Sequence, residues 1–91
     1  MVRAKRYIVR GRVQGVGYRY FAQAVAERLG VTGFVRNLAN GEVEVHAEAE
    51  EATLQTFKHE LKRGPRMAHV ADIAENDVPA AGSYSSFLIR G

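Results

Sequence analysis

Residues 42–49 alternate without a break between polar and apolar side chains. The apolar members are Val43, Val45, Ala47 and Ala49, and the polar members are Glu42, Glu44, His46 and Glu48. Because successive side chains of a strand point to opposite faces, this pattern predicts a strand with one buried face and one solvated face. We therefore expect the glutamates to face water. Asn40-Gly41, just ahead of the strand, predicts a hairpin turn, since both residues tolerate positive φ.

The remaining patterns complete a regular order of elements. Strands are predicted over residues 5–13, 31–38, 67–75 and 84–90, and helices over 20–29 and 50–63. With the central strand, this order is β-α-β-β-α-β plus a short C-terminal strand. Right-handed crossovers then place both helices on one face of an antiparallel sheet, which is the ferredoxin-like α/β sandwich of the α+β class. The pattern does not say where Tyr84–Arg90 pairs.

Length and composition limit the possible classes of protein. Ninety-one residues predict one domain, over residues 1–91. The chain has no cysteine, which excludes disulfides and thiolate metal sites and favours a cytoplasmic location. No segment has the length of a membrane helix, and the first residues lack the apolar core of a signal peptide.

Positive charge is concentrated in the first part of the chain. Residues 1–40 hold eight basic residues and one acidic residue, whereas residues 41–91 hold five basic and nine acidic residues. This asymmetry predicts an anionic partner for the N-terminal part.

The turn between the first strand and the first helix has the properties of an anion site. Gly15 and Gly17 allow backbone amides to converge, the helix N-terminus adds unpaired N–H groups, and Arg19 adds a planar cation. Taken alone the signal is weak. The turn has neither the Gly-Lys-Ser/Thr of a Walker loop nor the third glycine of a dinucleotide-binding fingerprint.

The full residue order of this loop is a more specific signal than its glycine spacing. The segment Gly11-Arg-Val-Gln-Gly-Val-Gly-Tyr-Arg19 closely resembles the signature of the acylphosphatase family, with Tyr18 where phenylalanine is commoner. A second family signature follows in register, Gly33-Phe-Val-Arg-Asn37 and then Gly41-Glu-Val-Glu44. The 64–70 and 87–90 segments are also similar to the family, so the resemblance covers nearly the whole chain.

This resemblance implies the same fold and a set of roles. The phosphate would be bound by the Arg19 side chain and by the backbone amides of Gln14, Gly15, Val16, Gly17, Tyr18 and Arg19. Asn37 would position the attacking water, and a small acyl phosphate would yield a carboxylate and inorganic phosphate. The resemblance implies no cofactor and no metal. Inorganic phosphate and sulfate are expected as competing anions, and the protein is expected to be a monomer.

Two other functions are compatible with the same order of elements. One is an RNA-binding module, but the predicted central strand presents glutamates where such modules present base-stacking aromatics, so no nucleic-acid partner is expected. The other is a ligand-sensing domain without catalysis, which would not need Arg19 and Asn37 at one point. His46, His59 and His69 show no metal-ligand spacing, and no Gly-x-Ser-x-Gly motif surrounds a serine.

Overall fold

The computed structural model describes residues 1–91 and contains five strands and two helices. In chain order these are β1 (Val2–Arg12), α1 (Tyr18–Leu29), β2 (Thr32–Asn37), β3 (Val43–Glu50), α2 (Glu51–Arg63), β4 (His69–Val78) and β5 (Phe87–Arg90). The predicted ferredoxin-like order is confirmed. No helix of the structure combines the length and the apolar character that a membrane crossing requires.

The strands form one sheet in the order β4-β1-β3-β2-β5. Both β1 and β2 are antiparallel to β3, so they run in the same direction and their carboxyl ends lie at the same edge. The terminal strand β5 pairs parallel with β2, with Arg36 beside Arg90. The sheet is therefore mixed: β4, β1, β3 and β2 form the predicted antiparallel part, and β5, whose pairing the sequence pattern left open, joins it in parallel. The reason is topological: β4 lies at one border, and the chain crosses the sheet before β5 joins the opposite border.

Both helices cover the same face of the sheet. Each presents apolar residues at helical spacing: Ala22, Val25 and Ala26 of α1, and Leu54, Phe57 and Leu61 of α2. They pack on buried strand residues such as Tyr7, Val35 and Val45, and together these form one hydrophobic core of 17 residues. Burial of this apolar surface is the main stabilising contribution to the fold. It also fixes where α1 begins relative to the ends of β1 and β2.

The face opposite the helices is covered more than the alternating pattern predicts. Glu44 is 6% exposed and Glu48 is 4% exposed, so the prediction that they face water was wrong. Glu44 accepts hydrogen bonds from Arg6 and Arg36 on the two neighbouring strands. Glu48 accepts the backbone N–H groups of Ala81 (2.9 Å) and Gly82 (3.1 Å), in the segment that crosses the sheet towards β5. Both carboxylates are thus buried with partners, as buried charges must be.

Candidate active site

The loop between β1 and α1 has a backbone shape that depends on its glycines. Gly15 and Gly17 have φ values of 74° and 79°, in the left-handed region that other residues rarely adopt. A Cβ added at either position would meet no atom within 4 Å. The glycines are therefore required by the turn and not by crowding, and the space above them is open to a ligand.

The N-terminus of α1 leaves its first amides available. Its first backbone hydrogen bond runs from the Phe21 N–H to the Gly17 carbonyl at 3.0 Å, so the N–H groups of residues 18–20 have no acceptor within the helix. The N-cap residue, Gly17, supplies no side-chain cap, and no acidic residue lies in the first turn. The positive end of the helix dipole is thus uncompensated, which favours an anion at this point.

Arg19 adds a full positive charge to this end of α1. Its side chain is half-buried, and Nη1 donates to the backbone carbonyl of Arg90 at 3.3 Å. It forms no ion pair with an acidic side chain. Arg90 of β5 pairs with Arg36 of β2, and Arg36 directly precedes Asn37. The Arg19 guanidinium is therefore held at the sheet edge where β2 ends, with its charge free for a ligand.

Asn37 is the last residue of β2, and its side chain carries an unusual feature. Its Oδ1 is buried and has no hydrogen-bond partner in the protein. No other buried side-chain nitrogen or oxygen of the chain lacks a partner. Such an acceptor costs free energy unless a bound molecule satisfies it. Asn37 therefore offers a positioned acceptor for a donor such as water.

These elements enclose one depression of about 100 Å³. Its lining residues come from the loop, from the first turn of α1 and from the end of β2: Val13, Gly15, Gly17, Tyr18, Arg19, Tyr20 and Asn37. No histidine, aspartate or glutamate is among them. The structure thus brings most of the sequence-predicted site residues together around a space of the size of a small anion.

Two of the predicted residues lie outside this lining. The Gln14 side chain is directed to the β2–β3 turn, where Nε2 donates to the carbonyls of Leu38 (2.8 Å) and Glu42 (2.9 Å). Val16 packs against the hydrophobic core. Their side chains fasten the loop, so any contact they make with an anion must come from their backbone amides.

Tyr18 contributes to the depression, but its side chain lies in the core. The ring is 1% exposed, and the hydroxyl donates to the carbonyl of Leu61 at 2.7 Å, near the C-terminal end of α2. Burial raises the pKa of Tyr18 well above its ordinary value, so the hydroxyl stays neutral. This hydrogen bond ties the two helices together at the end where the loop lies.

Sequence reasoning did not identify Val13 and Tyr20 as lining residues. Val13 follows β1 and is buried, whereas Tyr20 is 72% exposed in the first turn of α1. The position of Tyr20 next to Arg19 was a usable signal, because a residue in the first turn of a helix lies close to any ligand of that helix end.

Comparison with known proteins connects this geometry to one family. A family model described as Acylphosphatase matches residues 5–89. A protein named acylphosphatase from Solibacter usitatus is 52% identical over 87 residues, which cover 96% of this chain and 90% of that protein. The crystal structure of acylphosphatase from Bacillus subtilis superposes with a TM-score of 0.94 at 38% identity and covers 100% of both chains. That of an acylphosphatase from Coxiella burnetii gives 0.91 at 32% identity, covering 98% of this chain and 93% of that one.

Proposed function

This chain belongs to the acylphosphatase family and is an enzyme that hydrolyses acyl phosphates; from that premise we propose how its residues divide the work. The loop amides and Arg19 bind the phosphoryl group, and Asn37 positions the attacking water. The substrate is a small acyl phosphate, which is a mixed anhydride of a carboxylic acid and phosphoric acid. The products are the carboxylate and inorganic phosphate, and no cofactor takes part.

The phosphoryl group binds at the first turn of α1 in this proposal. The open, glycine-shaped loop and the free amides of residues 18–20 converge on the depression that Arg19 also lines. Amides and a guanidinium held in place before the substrate arrives stabilise charge without reorganising during the reaction. The planar guanidinium can donate to two phosphoryl oxygens at once.

The unpartnered Oδ1 of Asn37 is the observation that carries the proposal. An acceptor in this position can accept a hydrogen bond from one O–H group of a water molecule. This contact directs a lone pair of the water oxygen at phosphorus. Attack forms one P–O bond while the bond from phosphorus to the acyl oxygen breaks, and the carboxylate leaves with the bonding electrons. Orientation of this kind is the main requirement when the leaving group is already good.

No side-chain base is required in this mechanism. The depression contains no carboxylate and no imidazole, and the hydroxyl of its one buried phenol, Tyr18, donates a hydrogen bond to a backbone carbonyl. The proton of the attacking water therefore passes to an oxygen of the substrate's own phosphoryl group, as the family resemblance suggests. This route conserves charge at the site, because the phosphoryl group gains a proton as it gains the hydroxyl oxygen.

Release of inorganic phosphate from benzoyl phosphate tests the proposal, with phenyl phosphate, an ordinary phosphate ester, as the comparison substrate. The anhydride should be hydrolysed and the ester left essentially intact, because phenoxide is a far more basic leaving group than a carboxylate and the depression holds no carboxylic acid or imidazolium to protonate it. Equal turnover of the two substrates, or of neither, would contradict the proposal. A monomeric state, a cytoplasmic location and competition by phosphate or sulfate remain parts of the same proposal.

A further inference from the structure

Tyr20 is a large aromatic side chain that the structure leaves in solvent at the active site. It is 72% exposed, yet it lines the same depression as Arg19 and Asn37. Its hydroxyl makes no hydrogen bond within the chain, and its ring contacts no other aromatic ring. Single exposed apolar residues are common on protein surfaces, so exposure by itself indicates nothing. Its position beside the reacting groups is the informative observation.

Helix geometry places Tyr20 on the outer side of the depression. Successive residues of an α-helix are about 100° apart around its axis. Tyr18 points into the core at 1% exposure, so Tyr20, two residues later, points away from the core towards solvent. Arg19 lies between them. Tyr20 is thus the more solvent-exposed of the two side chains at this end of the helix, and the half-buried Arg19 is proposed to hold the phosphoryl group.

The direction of attack places the acyl group on the same side. Asn37 Oδ1 is buried, so a water bound to it approaches phosphorus from the inner side. In an in-line displacement the leaving group lies opposite the attacking oxygen. The acyl group must then point outwards, towards solvent and towards Tyr20.

We propose that Tyr20 is the residue that selects the acyl group, and that it favours acyl phosphates with an aromatic or extended apolar acyl part. This inference rests on the proposed function of the site. A phenyl ring can pack against the tyrosine ring in an offset or edge-on arrangement, which is worth about three- to tenfold in binding. An acetyl group offers one methyl group and gains little from the same surface.

The test compares kcat/KM for benzoyl phosphate and acetyl phosphate in the parent enzyme and in Tyr20→Ala and Tyr20→Phe. Tyr20→Ala should lower the ratio of benzoyl to acetyl kcat/KM by about three- to tenfold. Tyr20→Phe should keep the parent ratio, since it retains the ring and loses only a hydroxyl that has no partner. Met67→Ala is the matched control, because Met67 is similarly exposed (68%) and does not line the depression.

The outcomes separate this inference from the function on which it rests. If the parent hydrolyses both substrates and Tyr20→Ala keeps the parent ratio, Tyr20 does not select the acyl group, and the proposed mechanism is unaffected. A ratio that falls equally in Met67→Ala would also overturn the inference. If the parent releases phosphate from neither substrate, the proposed function itself fails. Competitive inhibition by inorganic phosphate gives a separate check that each variant retains its phosphoryl site.

Discussion

The side-chain amide of Gln14 donates a hydrogen bond of 2.8 Å to the backbone carbonyl of Leu38. Gln14 belongs to the loop after β1, and Leu38 directly follows Asn37 at the end of β2. The same Nε2 atom also donates to the carbonyl of Glu42, at 2.9 Å, across the β2–β3 turn. One side chain thus sets the position of the proposed phosphate loop relative to the residue proposed to hold the water.

Replacing Gln14 with alanine should reduce both stability and turnover. Loss of the two hydrogen bonds is expected to lower the free energy of unfolding by about 1–2 kcal/mol, measured by urea denaturation. The turnover number should fall more than the affinity for inorganic phosphate, because the loop amides survive but lose their alignment with Asn37. Gln23→Ala is the control, since Gln23 donates to the carbonyl of Phe87, away from this turn. Equal loss of turnover in the two variants would deny Gln14 a positioning role.

Arg19→Gln should lose at least about 100-fold in kcat/KM for benzoyl phosphate while the protein stays folded. The substitution keeps a polar side chain but removes the only charge that lines the depression. Far-UV circular dichroism should match that of the parent. Arg12→Gln is the control, because Arg12 is a nearby arginine at the end of β1 that does not line the depression. An Arg19 variant that keeps most of its activity would remove this residue from the mechanism.

Asn37→Ala should lower the turnover number by about 100-fold and leave phosphate affinity nearly unchanged. The proposed partner of Asn37 is the attacking water, which matters for the chemical step and not for anion binding. Calorimetric titration with phosphate and steady-state kinetics measure the two quantities separately. A loss of phosphate affinity as large as the loss of turnover would show that Asn37 binds the phosphoryl group instead. The variant should not be destabilised by loss of a hydrogen bond to Oδ1, because Oδ1 has no partner in the protein.

Inorganic phosphate should raise the melting temperature of the free enzyme and inhibit it competitively. A ligand at about 100 times its dissociation constant stabilises the native state by about 2.7 kcal/mol. Sulfate should act similarly, whereas chloride at matched ionic strength should do much less. Arg19→Gln should lose the effect. If chloride is as effective as phosphate, the stabilisation is general screening of a basic protein and not binding at the loop.

Acid should destabilise the protein in part through Glu44. Burial pushes the pKa of Glu44 upward, but hydrogen bonds from Arg6 and Arg36 outweigh it and hold the pKa below its usual value. A depressed pKa adds stability above the unfolded-state value of about 4.3, and this contribution is lost as the pH falls through the lower folded value.

Glu44→Gln should therefore be less stable than the parent at pH 7 and should lose less stability between about pH 5 and pH 3. Urea midpoints measured across this range test the difference. Glu27→Gln is the control, because Glu27 is exposed on α1 and forms no ion pair. If the urea midpoints of the parent and of Glu44→Gln change in parallel with pH, Glu44 contributes no pH-dependent stability.

Local patterns were sufficient for the order of elements, whereas the site residues were singled out mainly by the family resemblance. Positive-φ glycines at 15 and 17, the arginine after them and the asparagine that ends β2 are local features. The predicted crossover through α1 places β1 and β2 in the same direction, and so brings Asn37 to the edge where the loop lies. The role of each residue there was a matter of family resemblance, and the catalytic roles stay predictions.

Three properties depend on contacts between distant residues, and only the folded chain decides them. Glu44 and Glu48 were predicted to face water because alternation reports which side a residue faces, but not what covers that side. The segment before β5 covers Glu48, and the arginines of two neighbouring strands neutralise Glu44. The parallel pairing of β5 with β2 likewise depends on where the chain crosses the sheet.

The same limit applies at the site itself. The link between Gln14 and Leu38 spans 24 residues, and the missing partner of Asn37 Oδ1 is a property of its surroundings. A sequence encodes the conformation that each segment prefers, because propensity and periodicity act between near neighbours. Which polar atoms end up paired, and which one is left open for a ligand, is decided when the segments pack.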